Sequence, residues 1–308
     1  MGKLAFPSIS VIIPAYNRGK TIIRCIDSIA AQTINPLEII VVDDCSTDDT
    51  MRIVQGLGNK GVRYISLEAH SGAQAARNRG IREAKGDWIA FQDSDDEWLP
   101  RKLEKQLEAL KKYKYDPWTV VHTNAVRLNS ETGQRAMHEI AVIDGQNVYA
   151  SLLTSNGPLF PTFLVSKAAL GKIGYLDEQV PSFQEWDTSI RLARECRFVH
   201  LLEPLFVYHT NARDSISSDR QRDIAGYQYI IDKHESDIKR VCGYKTWERH
   251  LFIQLEKCLC FKLTSDADKY FDRIDKRPLK YWIYWVLRQL HVSPKLLTTF
   301  GVVLNSRE

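Results

Sequence analysis

The residues best suited to chemistry form a dense acidic cluster, Asp93-Ser94-Asp95-Asp96. Three carboxylates within four residues repel one another unless a positive charge lies among them. A turn that places Asp93 and Asp95 on one side would offer hard oxygen ligands to Mg²⁺ or Mn²⁺, together with substrate phosphates. The alternative is a solvated turn that caps the following helix. Because the preceding apolar run Trp88–Phe91 predicts a buried strand, we favour the metal site.

A second acidic pair, Asp43-Asp44, also follows an apolar run, Leu37–Val42. A carboxylate at this position could accept the imide N–H of a uracil ring, and Tyr16 could stack on the same base. The alternative is helix capping alone, with Ser46-Thr47-Asp48 at the start of the next helix. The spacing of these residues leaves both interpretations open.

Two arginines lie in the segment Gly72–Gly80 (GAQAARNRG), which has a small-residue helical pattern. Guanidinium groups suit the oxygens of a diphosphate. Arg77 and Arg79 point to different faces of the predicted helix, so at most one should reach a ligand. We expect Arg79 to lie on the surface.

The stretch Gln184-Glu185-Trp186-Asp187 precedes a predicted helix. An acid there can cap the helix N-terminus, or it can act as a general base if it faces the ligand. The ring of Trp186 could belong to the core or form a platform for a sugar ring.

Strand and helix patterns alternate through the first third of the chain. Continuous apolar runs predict buried strands, and stripes with helical spacing predict helices between them. The predicted strands are Ile9–Pro14, Leu37–Val42, Val62–Leu67 and Trp88–Phe91. The predicted helices lie at residues 22–30, Asp48–Leu57, Gly72–Ala84 and after Pro100. This alternation predicts a mostly parallel α/β sheet, which binds ligands beyond the carboxyl ends of its strands. The polar clusters after three of these strands should therefore converge on one crevice.

The remainder of the chain is mixed and then helical. We predict strands at Thr119–Thr123 and Phe160–Val165, a helix at Glu185–Cys196, an extended segment at Phe198–Tyr208, and helices from Asp219 onward.

Composition narrows the class of protein. The chain has 308 residues, 44% of them hydrophobic, and a formal net charge of +4, which is too small to indicate a nucleic-acid partner. The six cysteines form no C-x-x-C pair, so we expect reduced thiols in a cytosolic protein and no zinc site. Met1–Pro7 is too short and polar for a signal peptide, and no uncharged apolar run of 18 residues predicts a membrane span.

Four ordered motifs resemble family 2 glycosyltransferases of the GT-A fold, over roughly residues 7–218: Pro14-Ala15-Tyr16-Asn17-Arg18, Val41-Val42-Asp43-Asp44-Cys45-Ser46-Thr47-Asp48, Ala76-Arg77-Asn78-Arg79-Gly80 and Asp93-Ser94-Asp95-Asp96-Glu97-Trp98-Leu99-Pro100. The resemblance implies a Rossmann-like catalytic domain at 1–218, with a nucleotide-sugar-binding part at about 1–125 and an acceptor-binding part at about 126–218. A C-terminal helical region would cover 219–308.

The resemblance also implies an activity and a set of roles. Such enzymes transfer a sugar with inversion from a nucleotide-diphosphate sugar, usually UDP-linked, to a glycan or lipid-linked glycan, here in bacterial surface polysaccharide assembly. Asp44 corresponds to the acid that contacts uracil, Asp95 to the residue that holds Mn²⁺ or Mg²⁺, and Asp93 to one near ribose and metal. The donor-binding set is Pro14, Tyr16, Asn17, Arg18, Asp44, Arg77, Asp93 and Ser94, and Trp186 would contact the acceptor.

The sequence departs from the family pattern at two places. The base of the family lies in an E-D pair, but here Glu185 takes the position of the usual Asp, so the base is Glu185 or Asp187 and we favour Glu185. Near Tyr208-His209-Thr210-Asn211, relatives carry a basic stretch that contacts metal or phosphate, which makes His209 and Arg213 candidate ligands.

Two rival interpretations remain. A nucleotidyltransferase also pairs a metal with a nucleotide, but it usually has a Gly-rich, cationic phosphate loop directly after the first strand. Ala15-Tyr16-Asn17-Arg18 stands there instead. The other rival is a catalytically inactive sugar- or nucleotide-binding module.

The segment 269–295 combines basic residues with Trp and Tyr. Helical spacing puts Trp282, Trp285, Val286 and Gln289 on one stripe, with Tyr281, Tyr284 and Arg288 beside it. This pattern is typical of a helix that lies in a membrane interface, here on the cytoplasmic face. The alternative is a helix packed on the catalytic domain or on a second subunit.

Overall fold

The computed structural model describes residues 6–58, 61–138, 141–210, 219–275, 277–290 and 292–294. The chain divides into two compact units. One comprises Met1–Gln179 and Gln184–Asp214, and the other comprises Val180–Phe183 and Ser215–Glu308. The short segment that belongs to the second unit interrupts the first just before the stretch in which the sequence places the base.

The first unit is built on one sheet. Its strands are β1 (Ile9–Ala15), β2 (Glu38–Asp43), β3 (Val62–Ser66), β4 (Trp88–Phe91), β5 (Glu97–Trp98), β6 (Thr119–Asn129), β7 (Arg135–His138), β8 (Leu164–Ser166) and β9 (Arg197–Thr210). The helices between them are α1 (Ile22–Ala30), α2 (Thr50–Gln55), α3 (Ala73–Glu83), α4 (Lys102–Lys112), α5 (Tyr149–Thr154), α6 (Lys167–Lys172) and α7 (Gln184–Leu192).

The strand order is β3-β2-β1-β4-β8-β6-β9-β5, and β7 pairs with β6. The first four strands are parallel, as the alternation of strands and helices predicts. Strand β8 joins the sheet antiparallel to both β4 and β6, while β6 and β9 are parallel. The half of the sheet built from β1 to β4 is thus parallel and the other half is mixed.

Burial on both faces explains the apolar runs. Every residue of β1 and β2 is buried, and α1 covers them with Ile22, Cys25, Ile26 and Ile29 at helical spacing. Fully burying one such aliphatic side chain contributes roughly 1.5–3 kcal/mol. These contacts fix the strands whose ends carry the polar clusters.

One predicted strand is wrong in its first half. Phe160–Thr162 forms a 3₁₀ turn, and only Leu164–Ser166 pairs with the sheet. Pro161 lies in that turn and has no N–H to donate to a neighbouring strand, which explains why pairing begins later.

The second unit contains helices α8 (Arg220–Lys233), α9 (Glu235–Asp237), α10 (Tyr244–Cys260), α11 (Thr264–Arg273) and α12 (Leu279–Gln289), with a π-helical turn at Ile238–Cys242. Its buried residues include Ile230, Trp247, Leu251, Leu255 and Tyr270. None of the helices in the described segments is both long and apolar enough to cross a membrane.

Candidate active site

The three polar clusters follow neighbouring parallel strands. Strand β1 lies between β2 and β4 in the sheet, and all three run in the same direction. The carboxyl end of β1 leads into Tyr16, that of β2 into Asp44 and that of β4 into Asp93. The sheet therefore brings these residues to a single edge, as the sequence predicts.

Asn17 ties the first two loops together. Its backbone has a positive φ of 54°, its N–H donates to Ser46 Oγ at 2.8 Å, and its side-chain oxygen accepts from the Thr47 N–H at 2.8 Å. Pro14, also predicted to contact the donor, is a buried residue of β1 that pairs with Val42. Both residues shape the loop that presents Tyr16 and Arg18.

Asp44 joins the loop that follows β2 to the segment that enters α3. Its carboxylate accepts the backbone N–H groups of Ser71 at 2.6 Å and Gly72 at 2.8 Å. Nδ1 of His70 lies 3.0 Å from the same carboxylate, and the His70 ring lies 4.3 Å from the ring of Tyr16, centroid to centroid. Tyr16 is 41% exposed, so its ring remains open to a flat ligand.

His70 is a residue that our sequence analysis missed. Its only sequence signal is its position two residues before Gly72, which has a φ of 91° at the entry to α3. A single histidine outside any motif gives no indication of function in the sequence, and only the fold shows that His70 lies beside Asp44.

Arg77 points inward and Arg79 points outward from α3. The Arg77 side chain is buried, with Nη2 donating to Asp93 Oδ1 at 2.6 Å and Nη1 donating to Gln74 at 2.9 Å. Its guanidinium also lies over the Phe160 ring, 4.7 Å from the centroid. Arg79 instead pairs with Glu83 on the surface.

The acidic cluster is crowded. Burial raises the pKa of Asp95, the negative charge of Asp93 raises it further, and Arg18 opposes the rise from 3.6 Å away. Burial and the charges of Asp95 and Asp93 raise the pKa of Asp96 well above its usual value. Ser94 between them is buried. A cation beside Asp95 would relieve this repulsion.

The donor set fits a divalent cation that is shared with the substrate. Within the described part of the chain, no group of three or more His, Cys, Asp or Glu residues could hold a metal ion. Asp93 and Asp95 carry carboxylate oxygens, the ligand type that Mg²⁺ usually takes in proteins together with phosphate and water oxygens.

His209 has protein partners at both ring nitrogens, and its role as a metal ligand stays a prediction that these contacts do not favour. Its Nε2 lies 2.7 Å from Glu97 Oε1, its Nδ1 lies 3.1 Å from Ser130 Oγ, and its side chain is nearly buried. Its backbone N–H donates to Asp96 at 2.8 Å. Because both ring nitrogens have protein partners, His209 anchors the acidic loop to β9. Arg213 lies outside the described residues.

The two candidate bases have different surroundings. Asp187 is fully buried and pairs with Arg191 Nε at 2.8 Å, and Arg191 also donates to the carbonyls of Ile173 and Tyr175. This ion pair favours Glu185 over Asp187 as the base, and the choice between them stays a prediction.

Glu185 lies in the first turn of α7 and is only partly buried. Desolvation raises the pKa of its carboxyl group, the Asp93 charge raises it further, and the nearby Arg77 guanidinium lowers it. Glu185 therefore shares its electrostatic environment with the acidic cluster. A carboxylate whose pKa is raised is a better general base near neutral pH.

Trp186 belongs to the core, so its predicted role in acceptor binding stays a prediction that this position does not favour. The side chain is 1% exposed, and the indole N–H donates to the Leu152 carbonyl at 2.6 Å. A sugar platform needs an open ring face, which a buried indole cannot offer.

Comparison with known proteins agrees with the motifs and the fold. The profile of Glycosyl transferase family 2 matches residues 10–176, more than half of the chain. An uncharacterized glycosyltransferase of Haemophilus influenzae is 27% identical over 299 residues, which are 94% of this chain and 97% of that protein. The Escherichia coli protein WfaP, named as a UDP-Glc:α-D-GlcNAc-diphosphoundecaprenol β-1,3-glucosyltransferase, is 41% identical over 99 residues, 32% of this chain and 39% of its own length.

The fold resembles that of a solved enzyme. The crystal structure of S. aureus TarS in complex with UDP has a TM-score of 0.58 and 18% identity, and the match covers 97% of this chain and 93% of that one. At this identity the likeness establishes the GT-A fold. The family profile, the four motifs and this fold agree: the chain belongs to glycosyl transferase family 2.

Proposed function

We propose that this protein is a metal-dependent, inverting glycosyltransferase that moves a sugar from a UDP-sugar to a hydroxyl of a glycan or lipid-linked glycan. Its setting would be the cytoplasmic face of the membrane, in bacterial surface polysaccharide biosynthesis. The observation that carries the proposal is the position of Arg77, which donates to Asp93 and also lies 3.5 Å from the side-chain oxygen of Gln184, the residue before Glu185. One buried cation thereby connects the donor-binding cluster with the base.

The choice of UDP rests on the surroundings of Asp44. An exposed Tyr16 ring lies beside His70, and the Asp44 carboxylate is fixed by two backbone N–H groups. A flat base could stack on Tyr16 while its N–H groups meet the carboxylate. Crystal structures of TarS contain UDP and UDP-GlcNAc, and WfaP is named for a UDP-Glc donor.

The reaction would be a single displacement at the anomeric carbon. Glu185 takes the proton of the acceptor hydroxyl, so that the oxygen can attack from the face opposite the leaving diphosphate. Arg77 and Arg18 supply fixed positive charge where negative charge grows. A divalent cation held by Asp93 and Asp95 would offset the charge of the leaving group. No covalent intermediate on the protein is required, so the configuration inverts.

Helix α12 supports a lipid-linked acceptor. Tyr281, Tyr284 and Leu287 are buried within the second unit, and Tyr284 donates to Glu256 at 2.7 Å. The opposite face is apolar and exposed, with Trp282 47% and Trp285 41% exposed beside Leu279, Val286 and Leu290. Such a face suits the interfacial layer of a bilayer, where Trp rings lie at headgroup depth.

The cations around α12 are less available than the sequence suggests. Arg288 pairs with Asp268 at 2.9 Å, and Arg273 pairs with Asp232 at 2.6 Å. Lys280 lies over the rings of Phe252 and Tyr284, while Lys276 and Lys295 lie outside the described residues. We therefore propose that apolar insertion contributes more to membrane binding than electrostatic attraction does.

The decisive experiment is a screen of nucleotide sugars with Mn²⁺ by thermal shift, followed by transfer assays on the sugars that stabilise the protein. Bound donor should raise the melting temperature by mass action, more so with metal than with chelator. Analysis of the product's anomeric configuration then tests inversion. Pyrophosphate release from a nucleoside triphosphate and a sugar phosphate would instead indicate a nucleotidyltransferase, and binding without any transfer would indicate an inactive module.

A further inference from the structure

The segment Val180–Phe183 ends two residues before the candidate base Glu185, yet it belongs to the C-terminal unit. Ser182 Oγ donates to the carbonyl of Arg222 at 2.9 Å, and Arg222 Nε donates back to the carbonyl of Pro181 at 2.7 Å. The ring of Phe183 meets Tyr227 edge-on at 5.8 Å, and Lys257 Nζ lies 5.3 Å from the Phe183 ring. Helices α8 and α10 therefore hold the backbone and the side chains of this segment.

Helix α8 also lies very close to the backbone of the segment Val180–Phe183. Any Cβ at Gly226 would collide with Ser182 Oγ and would lie 2.6 Å from the Ser182 nitrogen. Real Cβ atoms do not come that close to backbone atoms, so only glycine permits α8 to lie against the segment in this way. Substitution of Gly226 must displace either the helix or residue 182.

The conformation of Phe183 fixes where α7 begins. Its φ of 58° is unfavourable for a bulky side chain and persists only where the surroundings impose it. The helix starts at the next residue, Gln184, and Glu185 lies in its first turn. On the other side, Gln184 Oε1 lies 3.5 Å from Arg77 Nη1. The first turn is thus held from the segment before it and from Arg77.

We propose that helix α8 is a positioning element for Glu185, acting through Gly226, Arg222 and Tyr227 on the segment Val180–Phe183. The contacts of α8 with the segment Val180–Phe183 would then affect the rate of transfer. The inference rests on the proposed role of Glu185 as the base. A base must lie within hydrogen-bond reach of the acceptor hydroxyl, and a misplacement of about 1 Å can cost on the order of 10²-fold in rate.

The test is Gly226→Ala, with Gly171→Ala as the matched control. Both substitutions add one methyl group to a helix, but a Cβ at Gly171 would meet nothing within 4 Å. For Gly226→Ala we expect kcat to fall on the order of 10²-fold, with the KM for the donor and the Kd for UDP and Mn²⁺ unchanged. The acid limb of its pH–rate profile should also move, because the Glu185 carboxyl group would change its distance from Arg77. Gly171→Ala should match the wild type in all of these.

An activity-independent measurement separates this inference from the proposed function. Hydrogen–deuterium exchange should be faster in the peptide that covers α7 of Gly226→Ala and unchanged in the peptide that covers β2. Normal kcat in Gly226→Ala, while Glu185→Gln is inactive, would overturn the positioning role and leave the proposed function standing. A loss of kcat that only follows a loss of folded protein or of UDP affinity would overturn it as well. If no transfer is found for the wild type, unchanged hydrogen–deuterium exchange in α7 of Gly226→Ala would still refute the positioning role of α8.

Discussion

Arg77 Nη2 donates to Asp93 Oδ1 at 2.6 Å, across 16 positions of sequence and from a different element of the fold. The pair brings a buried guanidinium to the acidic cluster. Burial raises the pKa of Glu185, and the same guanidinium opposes that rise, so its charge acts on both halves of the candidate site.

Replacing Arg77 should therefore impair transfer, whereas replacing Arg79 should not. Arg77→Lys keeps the charge but loses the planar fork that reaches Asp93 and Gln74 together. We expect kcat to fall on the order of 10²-fold, the usual effect of removing one preorganised charge donor. Arg79→Lys, on the surface with Glu83, is the control and should retain wild-type kinetics. Equal effects of the two substitutions would contradict the role of Arg77.

Asp95→Ala should abolish the metal dependence of UDP binding. In the wild type, calorimetry should show tighter UDP binding with Mn²⁺ than with chelator, because the cation joins the carboxylates to the diphosphate. In Asp95→Ala the two titrations should coincide, while the far-UV circular dichroism spectrum stays unchanged, since a loop carboxylate adds little to the core. Equal affinities with and without metal in the wild type would refute metal dependence itself.

Substitutions of Glu185 and Asp187, the two acids in the first turn of α7, should have different effects. Glu185→Gln should preserve donor binding and reduce the transfer rate by about 10²-fold or more, as expected for loss of a general base. Asp187→Asn should instead lower the melting temperature, because it leaves the partly buried Arg191 without its carboxylate partner. An inactive but stable Asp187→Asn beside an active Glu185→Gln would reverse the assignment.

The raised pKa of Glu185 predicts opposite pH trends for rate and stability. The rate should fall as pH drops through this pKa, because only the carboxylate accepts a proton. Burial favours the neutral form, so the stability that Glu185 contributes is fully present below the ordinary pKa of the free side chain and is lost as pH rises through the folded value. Glu185→Gln should therefore melt above the wild type at about pH 8 and close to it at about pH 4. Melting curves in parallel with pH–rate profiles test both trends, and a Glu185→Gln variant that is less stable at the higher pH would contradict the second.

The exposed face of α12 predicts membrane binding that depends on its aromatic residues. Trp282→Ser with Trp285→Ser should reduce co-sedimentation with anionic vesicles, because the exposed rings would no longer enter the headgroup layer. UDP affinity should not change. Leu37→Ser, at an exposed apolar residue of the first unit, is the control. Since most described cations of this region are paired, high salt should weaken binding only in part. No pelleting of the wild type at low salt would refute membrane docking by this face.

Much of the catalytic domain follows from local sequence patterns. The apolar runs of β1, β2 and β4 encode strands buried on both faces, and the helices between them force those strands to be parallel. Parallel strands end at one edge, so Tyr16, Asp44 and Asp93 had to converge wherever the rest of the chain lay. Periodicity also separates Arg77 from Arg79, because residues two positions apart on a helix face different directions.

The tertiary structure alone decided which polar groups remain available for chemistry. Glu185 and Asp187 are both acids of the same helical turn, but only Asp187 pairs with Arg191, which also donates to the carbonyls of residues 173 and 175. His209 finds Glu97 across 112 positions, and Gln184 finds Arg77 across 107. The hydrogen-bonding capacity of a side chain is set by partners that are distant in sequence, and no local pattern records them. For the same physical reason, only the fold shows that four residues before the base are held by the helices that follow the catalytic domain.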